Sequence, residues 1–141
     1  MWKETTMAIN IVKQYSVFLV NEPGELTKFA NLFIQEKIDI IAMSQDVRYD
    51  AAVVRLAIRH EDEISHALTK AGFTSVKTDA ICLDLPNRVG LIHDLGEVLA
   101  SNSINITTIY GTSIGENTRW VLVVNDIPQA LNVLEASKLF Q

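Results

Sequence analysis

The feature of this sequence that most constrains its fold is an internal repeat. The run Asn-Glu-Pro-Gly-Glu-Leu at residues 21–26 returns 66 residues later as Asn-Arg-Val-Gly-Leu-Ile at residues 87–92. The same offset carries Ile-Asp-Ile at residues 38–40 to Ile-Asn-Ile at residues 104–106, with no gap between the copies. A repeat that fills most of a 141-residue chain predicts two small structural units of one kind.

Each copy is predicted to contain a strand, a helix, two strands, a second helix and a final strand. In the first copy, β-branched and aromatic residues at 15–20 predict a strand that stops at the Pro-Gly turn. Leu26, Phe29 and Phe33 then fall on one face of a helix. The remaining elements of this copy are predicted as strands at residues 38–44 and 51–58, a helix at 62–71 that stops at Gly72, and a strand at 73–77.

The second copy repeats this order, with a polar, glycine-containing hairpin loop at residues 111–117. Its elements are predicted as a strand at residues 79–85, a helix at 91–101, strands at 104–110 and 119–125, and a helix at 128–137 capped by Asp126. The chain ends three residues into the final strand of this copy, so the edge at residues 81–85 lacks a neighbour. Residues 9–13, from the same or a second chain, are predicted to fill that place.

The repeat also sets the predicted boundaries. Residues 1–13 are expected to form an N-terminal extension, residues 14–78 a first module, and residues 79–141 a second module whose final strand is truncated.

Charge and hydropathy exclude two classes of partner. The formal net charge is −5 and no Lys/Arg cluster follows any segment, which argues against nucleic-acid binding. No apolar run approaches the ~20 residues that span a bilayer, and residues 1–6 do not have the pattern of a secretory leader. We therefore expect a cytoplasmic protein with no membrane partner.

Residues suited to catalysis or metal binding are scarce. The one cysteine, Cys82, lies in an apolar run and is predicted to be a buried thiol. The three histidines, His60, His66 and His93, have no second ligand at metal spacing and are predicted to lie on helix surfaces or ends. No catalytic triad, paired carboxylates or phosphate loop is present, so we expect neither an enzyme nor a cofactor site.

Two such units, each with an Asn-x-x-Gly turn after the first strand and an Ile-Asp-Ile or Ile-Asn-Ile run after the first helix, resemble the ACT domain. The tandem arrangement resembles small stand-alone proteins made of two ACT domains. The resemblance covers the chain from about residue 15 onward, and it implies an α+β, ferredoxin-like βαββαβ fold for each module. In that fold, both helices lie on one face of a four-stranded antiparallel sheet, and two modules commonly join side by side.

The resemblance also implies where a ligand binds. In the family, amino acids lie where the loop after the first strand of one module meets the start of the second strand of its neighbour. Residues 21–26 are thus expected opposite Asn105, and residues 87–92 opposite Asp39. The eight candidate ligand-binding residues are Asn21, Gly24, Leu26, Asp39, Asn87, Gly90, Ile92 and Asn105. Serine-sensing members carry a histidine where this chain has Leu19 and Leu85, so serine specificity is not implied.

The chemistry of these residues suits an amino acid, but a structural interpretation also stays open. Backbone N–H groups where a glycine turn enters a helix attract a carboxylate, and asparagine can meet either charge of the ligand. Asn21 and Asn87 could instead be turn residues whose side chains bond to the backbone two residues on. Gly24 and Gly90 could serve the loop conformation alone. Asp39 could be a solvated residue at the start of a strand.

Three predictions about function follow. The first is a free-standing sensor of an amino acid or similar small ligand. The second, an alternative, is a regulatory subunit that docks on a separate catalytic chain of amino-acid metabolism. The third is a homodimer, because the strands at residues 15–20 and 119–125 are apolar on both sides, and such strands are usually buried on both faces.

Overall fold

A computed structural model describes residues 7–140 of the chain. In chain order its elements are β1 (Ala8–Val20), α1 (Glu25–Glu36), β2 (Ala42–Arg48), β3 (Ala51–Arg59), α2 (Ser65–Lys70), β4 (Thr74–Pro86), α3 (Leu91–Ala100), β5 (Ile106–Ile114), β6 (Asn117–Val124), α4 (Ile127–Ala136) and a 3-10 turn at Lys138–Phe140. The first copy of the repeat therefore folds with the predicted order of helices and strands, and the second copy follows it as far as α4, where a 3-10 turn replaces the expected final strand.

The chain divides into two units, which we call the first and second modules. Within the described residues the first module is Val12–Asp79, and the second is residues 80–140 together with residues 7–11. The second module is therefore discontinuous in sequence, and the first module is inserted after its N-terminal strand segment. Two long strands, β1 and β4, each contribute one part to either module.

The sheet of the first module has the strand order β2-β3-β1-β4. β3 pairs antiparallel with both β1 and β2. Alternate residues of β1 and β3 are buried beneath the helices, because successive side chains of a strand point to opposite faces. The core consists of Tyr15, Val17, Leu19, Ala52, Val54, Leu56 and Ile58 from these strands, Phe29 and Phe33 from α1, and Ile64 and Leu68 from the region of α2.

Aromatic side chains anchor α1 to this core. Phe29 meets Phe33 edge to face, with ring centroids 5.1 Å apart, and meets Phe73 in the same geometry at 5.8 Å. Such pairs contribute about 0.5–1.5 kcal/mol each beyond the area they bury. Phe29 and Phe33 thus face the core as predicted, whereas Leu26, which was expected on the same face, is 42% exposed.

The second module has the strand order β1-β4-β6-β5, with β6 antiparallel to both β4 and β5. Its core is built from Ile81, Leu83, Leu85, Leu91, Leu95, Leu99, Ile104, Leu122, Val124, Ala130 and Leu134. Ile9 packs against this core, so the N-terminal end of β1 takes the place that the truncated final strand leaves. Residues that would begin that final strand form the 3-10 turn at Lys138–Phe140 instead.

Several predicted boundaries were wrong. The strands expected at residues 73–77 and 79–85 are one strand, Thr74–Pro86, and β1 begins at Ala8 rather than at residue 15. The strand expected at 38–44 begins only at Ala42, although Ile38 and Ile40 do pack against the core. Alternating isoleucines that pack against the core give the same sequence pattern as a strand, even where the backbone does not belong to the sheet.

Two further boundaries shifted for local reasons. The helix expected at residues 62–71 spans only Ser65–Lys70, because the Glu63 carboxylate accepts a 2.8 Å hydrogen bond from the backbone N–H of Ser65 and closes a turn before the helix. The hairpin loop expected at 111–117 is much shorter, since β5 continues to Ile114 and β6 starts at Asn117. The predicted cap of α4 is confirmed, with Asp126 accepting a 3.1 Å bond from the N–H of Gln129.

Candidate functional site

The loops that lead into α1 and α3 have the same backbone geometry. Gly24 and Gly90 each stand immediately before the helix with φ at 91°, a left-handed conformation that side chains with a Cβ rarely adopt. A Cβ at Gly24 would meet nothing within 4 Å, and one at Gly90 would meet only the Arg88 side chain at 3.6 Å. Both glycines are therefore required by backbone conformation rather than by lack of space.

The first turn of each of these helices contains two backbone N–H groups that donate no hydrogen bond to any described residue. In α1 the N–H of Glu25 donates to the Glu22 carbonyl and that of Lys28 to the Gly24 carbonyl, which leaves the N–H groups of Leu26 and Thr27. No side chain caps α1 or α3, whereas Asp126 caps α4. Free N–H groups at a helix N-terminus attract anions such as a carboxylate.

The same pattern recurs at α3. There the N–H of Leu91 donates to the Arg88 carbonyl and that of Asp94 to the Gly90 carbonyl, which leaves the N–H groups of Ile92 and His93. Each module thus presents the same pair of donors at the same place.

Asn21 and Asn87 fix these loops through their backbones. The N–H of Asn21 donates to the Asp50 carbonyl at 2.9 Å, and that of Asn87 donates to the Glu116 carbonyl at 2.8 Å. The Asn87 side chain reaches only the Gly115 carbonyl, at 3.5 Å. Residue 23 is a proline without an N–H, and within residues 7–140 the Asn87 side chain accepts no hydrogen bond from the N–H of Val89, so that form of the turn interpretation is not what holds these loops.

Asp39 and Asn105 occupy matching positions after the first helix of each module. Both are exposed and lie between two isoleucines that pack against the core, Ile38 and Ile40 beside Asp39 and their counterparts beside Asn105. The backbone of Asn105 is held by Asn125, whose side-chain oxygen accepts from the N–H of Asn105 at 3.0 Å. The Asn105 amide is therefore exposed on a fixed backbone.

The exposed apolar residues of the two loops also match. Leu26 and Ile92 stand at the second position of α1 and α3 and are 42% and 44% exposed. The structure thus brings together Asn21, Gly24 and Leu26 in one loop, and Asn87, Gly90 and Ile92 in the other. The residues expected to complete each site, Asn105 and Asp39, belong to the opposite modules, so their pairing with these loops stays a prediction.

One difference between the loops was missed by the sequence reasoning. In the second module Arg88 forms an ion pair with Asp94, and the His93 Nδ1 lies 3.2 Å from the same carboxylate. The hydrogen bond from Arg88 is the largest cause that lowers the pKa of Asp94. Aligning the two copies of the repeat could have revealed this difference, because Glu22 and Lys28 of the first module match Arg88 and Asp94 and carry the opposite charges.

The groups that bear on other functions are placed as follows. Cys82 is buried, as predicted, and desolvation raises the pKa of its thiol to about 11, which makes it a poor nucleophile at neutral pH. His60 lies 3.4 Å from an Asp79 carboxylate oxygen. No group of three potential metal ligands occurs among the described residues. Within residues 7–140 no helix is long and apolar enough to cross a membrane.

Two modules that each combine a four-stranded sheet with two helices, and whose first helices begin at equivalent left-handed glycines, define a class of paired ferredoxin-like modules. The family model of the ACT domain pair matches residues 10–140, and this chain belongs to that family. The predicted family and fold class are thereby confirmed. No curated protein matches the chain.

Solved structures share the fold at low sequence identity. Protein BT0572 from Bacteroides thetaiotaomicron superposes with a TM-score of 0.82 at 23% identity, over 93% of this chain and 91% of that one. The ligand-free regulatory subunit of aspartate kinase from Thermus thermophilus gives 0.69 at 13% identity, over 99% and 100%. The aspartate kinase of Clostridium acetobutylicum gives 0.64 at 14% identity, over 95% of this chain but 36% of that one. These likenesses concern the fold.

Proposed function

We propose that this chain is a non-catalytic regulatory protein of the cytoplasm that binds an amino acid or a similar small ligand. The observation that carries the proposal is the pair of free N–H groups that each module presents behind a left-handed glycine. A free amino acid always carries a carboxylate, and such donors beside the positive end of a helix dipole favour one. The membership of the ACT domain pair family supports the same function.

The residues around the donors suit the rest of such a ligand. Leu26 and Ile92 offer exposed apolar surface beside the N–H groups. Following the family resemblance, we assign Asn105 to the site with the loop of Asn21, and Asp39 to the site with the loop of Asn87. Asp39 favours the ammonium group, whereas Asn105 is neutral, so the two sites are expected to differ in affinity.

Thermal-shift measurements against the twenty amino acids test this proposal. A ligand that binds only the folded state adds RT ln(1 + [L]/Kd), about 2.7 kcal/mol at one hundred times Kd. At least one amino acid should therefore raise the melting temperature by several degrees. The matched control is the amide of the same amino acid, which lacks the carboxylate and should have little effect. A flat response from protein shown to be free of bound ligand would rule out the sensor.

A second candidate is a regulatory subunit that docks on a separate enzyme. The observation that favours it is the likeness in fold to structures described as regulatory subunits of aspartate kinase, with near-complete coverage of both chains. A pull-down from native extract separates the two candidates. A subunit should retain a kinase chain in stoichiometric amount, whereas a free-standing sensor should be recovered without one.

We also propose that the protein is a homodimer. Exposed apolar side chains remain on its strands, including Phe18 and Val20 at the end of β1. Sedimentation equilibrium at micromolar concentration tests this directly, because one chain has a mass of 15.7 kDa and a dimer has twice that value.

A further inference from the structure

The hairpin between β2 and β3 carries a tyrosine at a backbone position that suits glycine. Arg48 at the end of β2 pairs with Ala51 at the start of β3. Tyr49 and Asp50 between them form a two-residue loop, and Tyr49 has φ at 60°. A two-residue hairpin loop with a positive φ at its first residue favours glycine there, because glycine has no Cβ to crowd the backbone. A bulky side chain in this conformation is therefore strained.

The second module builds the same hairpin with a glycine. Moving 66 residues along the chain from Tyr49 gives Gly115, which also has φ at 60°. Gly115 is the first of the two residues that separate the paired residues Ile114 and Asn117. The turn itself therefore needs no side chain at this position, and the tyrosine of the first module has another cause.

Packing within the first module does not supply that cause. The Tyr49 side chain is 98% exposed, whereas Tyr15 and Phe29 of the same module are buried. A residue that is both strained and solvent-exposed adds to stability through neither its backbone nor the core. Strained residues that persist in proteins cluster at binding and active sites, which points to a bound molecule that the ring contacts.

The hairpin is joined to the loop that enters α1. The N–H of Asn21 donates to the carbonyl of Asp50 at 2.9 Å, and Tyr49 directly precedes that acceptor in the chain. Tyr49 thus lies beside the loop whose helix presents the free N–H groups of Leu26 and Thr27.

The opposite module offers the first loop no charged partner for the ammonium group of an amino acid. The site with the loop of Asn87 is assigned the carboxylate of Asp39, whereas the site with the loop of Asn21 is assigned Asn105, which is neutral. The face of an aromatic ring attracts a cation that lies within about 6 Å of its centre. Tyr49 supplies such a face to the first loop alone.

The charges at the two hairpins agree with this difference. Glu22 and Asp50 are exposed on either side of the contact between the first loop and its hairpin. The matching residues of the second module are Arg88 and Glu116. Two carboxylates favour a cation beside Tyr49, whereas the corresponding pair in the second module has no net charge.

We propose that Tyr49 is a specificity-determining residue of the first site. Its ring covers the ammonium group of an amino acid whose carboxylate binds the N–H groups of Leu26 and Thr27. The inference rests on the amino-acid sensor proposed above and adds the residue that holds the second charge of the ligand.

Tyr49→Gly separates this role from a role in the turn, because the protein should become more stable and bind its ligand less tightly. Glycine relieves the strain at positive φ, so the melting temperature without ligand should rise. Loss of the ring should raise Kd at the first site by about threefold to thirtyfold. Titration calorimetry with the amino acid found by thermal shift measures Kd, and the second site should keep its affinity.

Three further variants identify the property of the ring that matters. Tyr49→Phe retains an aromatic face and should retain the wild-type Kd, whereas Tyr49→Leu retains only apolar bulk and should weaken binding as glycine does. Gly115→Ala is the matched control at the same turn position, where an added Cβ would meet nothing within 4 Å. It should lower the melting temperature through its positive φ and leave Kd at the first site unchanged. Circular dichroism verifies that each variant is folded.

Two results would overturn the inference. They are an unchanged Kd in folded Tyr49→Gly, and a Tyr49→Leu variant that binds as tightly as Tyr49→Phe. If Kd is unchanged but Tyr49→Gly no longer retains a kinase from extract, the ring contacts that enzyme instead of the ligand. A wild type that binds no amino acid removes the sensor and this inference together, and thermal shift shows that outcome before any variant is made.

Discussion

The hydroxyl of Tyr15 donates a 2.7 Å hydrogen bond to the carboxylate of Glu63 and ties β1 to the turn before α2. The same carboxylate accepts from the backbone N–H of Ser65 at 2.8 Å and lies 3.2 and 3.3 Å from the ammonium groups of Lys13 and Lys77. Hydrogen bonds stabilise the charged form and strongly lower the pKa of Glu63, with the side-chain bond to Ser65 the largest cause, followed by the backbone N–H of Ser65 and the Tyr15 hydroxyl. One half-exposed carboxylate thus joins three elements of the first module.

This network makes the stability of the protein depend on pH. A carboxyl group with a lowered folded pKa stabilises the protein fully above its unfolded pKa of about 4.3, and that stabilisation is lost as the pH falls further. Glu63→Gln should lower the free energy of unfolding at pH 7 by about 1 kcal/mol, a modest value because the group is partly exposed. The deficit relative to the wild type should shrink below about pH 4.

Urea denaturation at several pH values measures this difference. Glu36→Gln is the control, because Glu36 lies at the exposed end of α1. A deficit for Glu63→Gln that stays constant from pH 7 to acid would show that the carboxylate charge does not matter.

Gly24 and Gly96 provide a matched test of the loop conformation. Gly24 has φ at 91°, so Gly24→Ala should destabilise the protein by about 1–2 kcal/mol. Gly96 lies inside α3, where an added Cβ would meet nothing within 4 Å, so Gly96→Ala should instead stabilise by up to about 1 kcal/mol. Urea denaturation measures both changes, and equal effects of the two substitutions would contradict the conformational role of Gly24.

Gly111 is required for a different reason, which is space. It stands directly across from Trp120 in the β5–β6 register, and a Cβ there would overlap the Trp120 ring and the backbone oxygen of Arg119. Because backbone cannot move aside cheaply, Gly111→Ala should cost about 1–3 kcal/mol. The change is measured by thermal denaturation, with Gly111→Ala in a Trp120→Ala background as the control. A cost that is the same in both backgrounds would show that the ring plays no part in it.

The sequence reasoning succeeded where a local pattern determines the structure. The Pro-Gly turn, the spacing of Leu26, Phe29 and Phe33, and the Asp126 cap each predicted an element that the structure contains. It failed where the structure depends on pairing between strands that are far apart in the sequence. The continuity of β4 across both modules depends on neighbouring strands rather than on its own residues. In the sequence Gly111 stands among polar residues and another glycine and looks like a loop residue. Only its pairing with Trp120 shows that it lies in a strand.

For the candidate site, the repeat identified the two loops but not their electrostatic difference. The left-handed conformation of Gly24 and Gly90 gives both glycines a structural role, and the helix N–H groups that follow them are the ones proposed to bind a carboxylate. A conformational role and the proposed binding role are compatible for these glycines, because the N–H groups beside them are left by the helix N-terminus and the lack of a side-chain cap.

Asn105 provides the sharpest test of the site. Its backbone is held by the Asn125 side chain, while its own amide is exposed, so Asn105→Ala should change the free energy of unfolding by less than about 0.5 kcal/mol. If the amide binds a charged group of the ligand, losing that hydrogen bond should cost about 1.5–3 kcal/mol of affinity, a rise in Kd of roughly tenfold to a hundredfold. Titration calorimetry with the amino acid found by thermal shift measures Kd. Asn132→Ala, at an exposed position on α4, is the control that should leave Kd unchanged. An unchanged Kd in folded Asn105→Ala would remove this residue from the site, and a loss of stability without a loss of affinity would assign it to the turn instead.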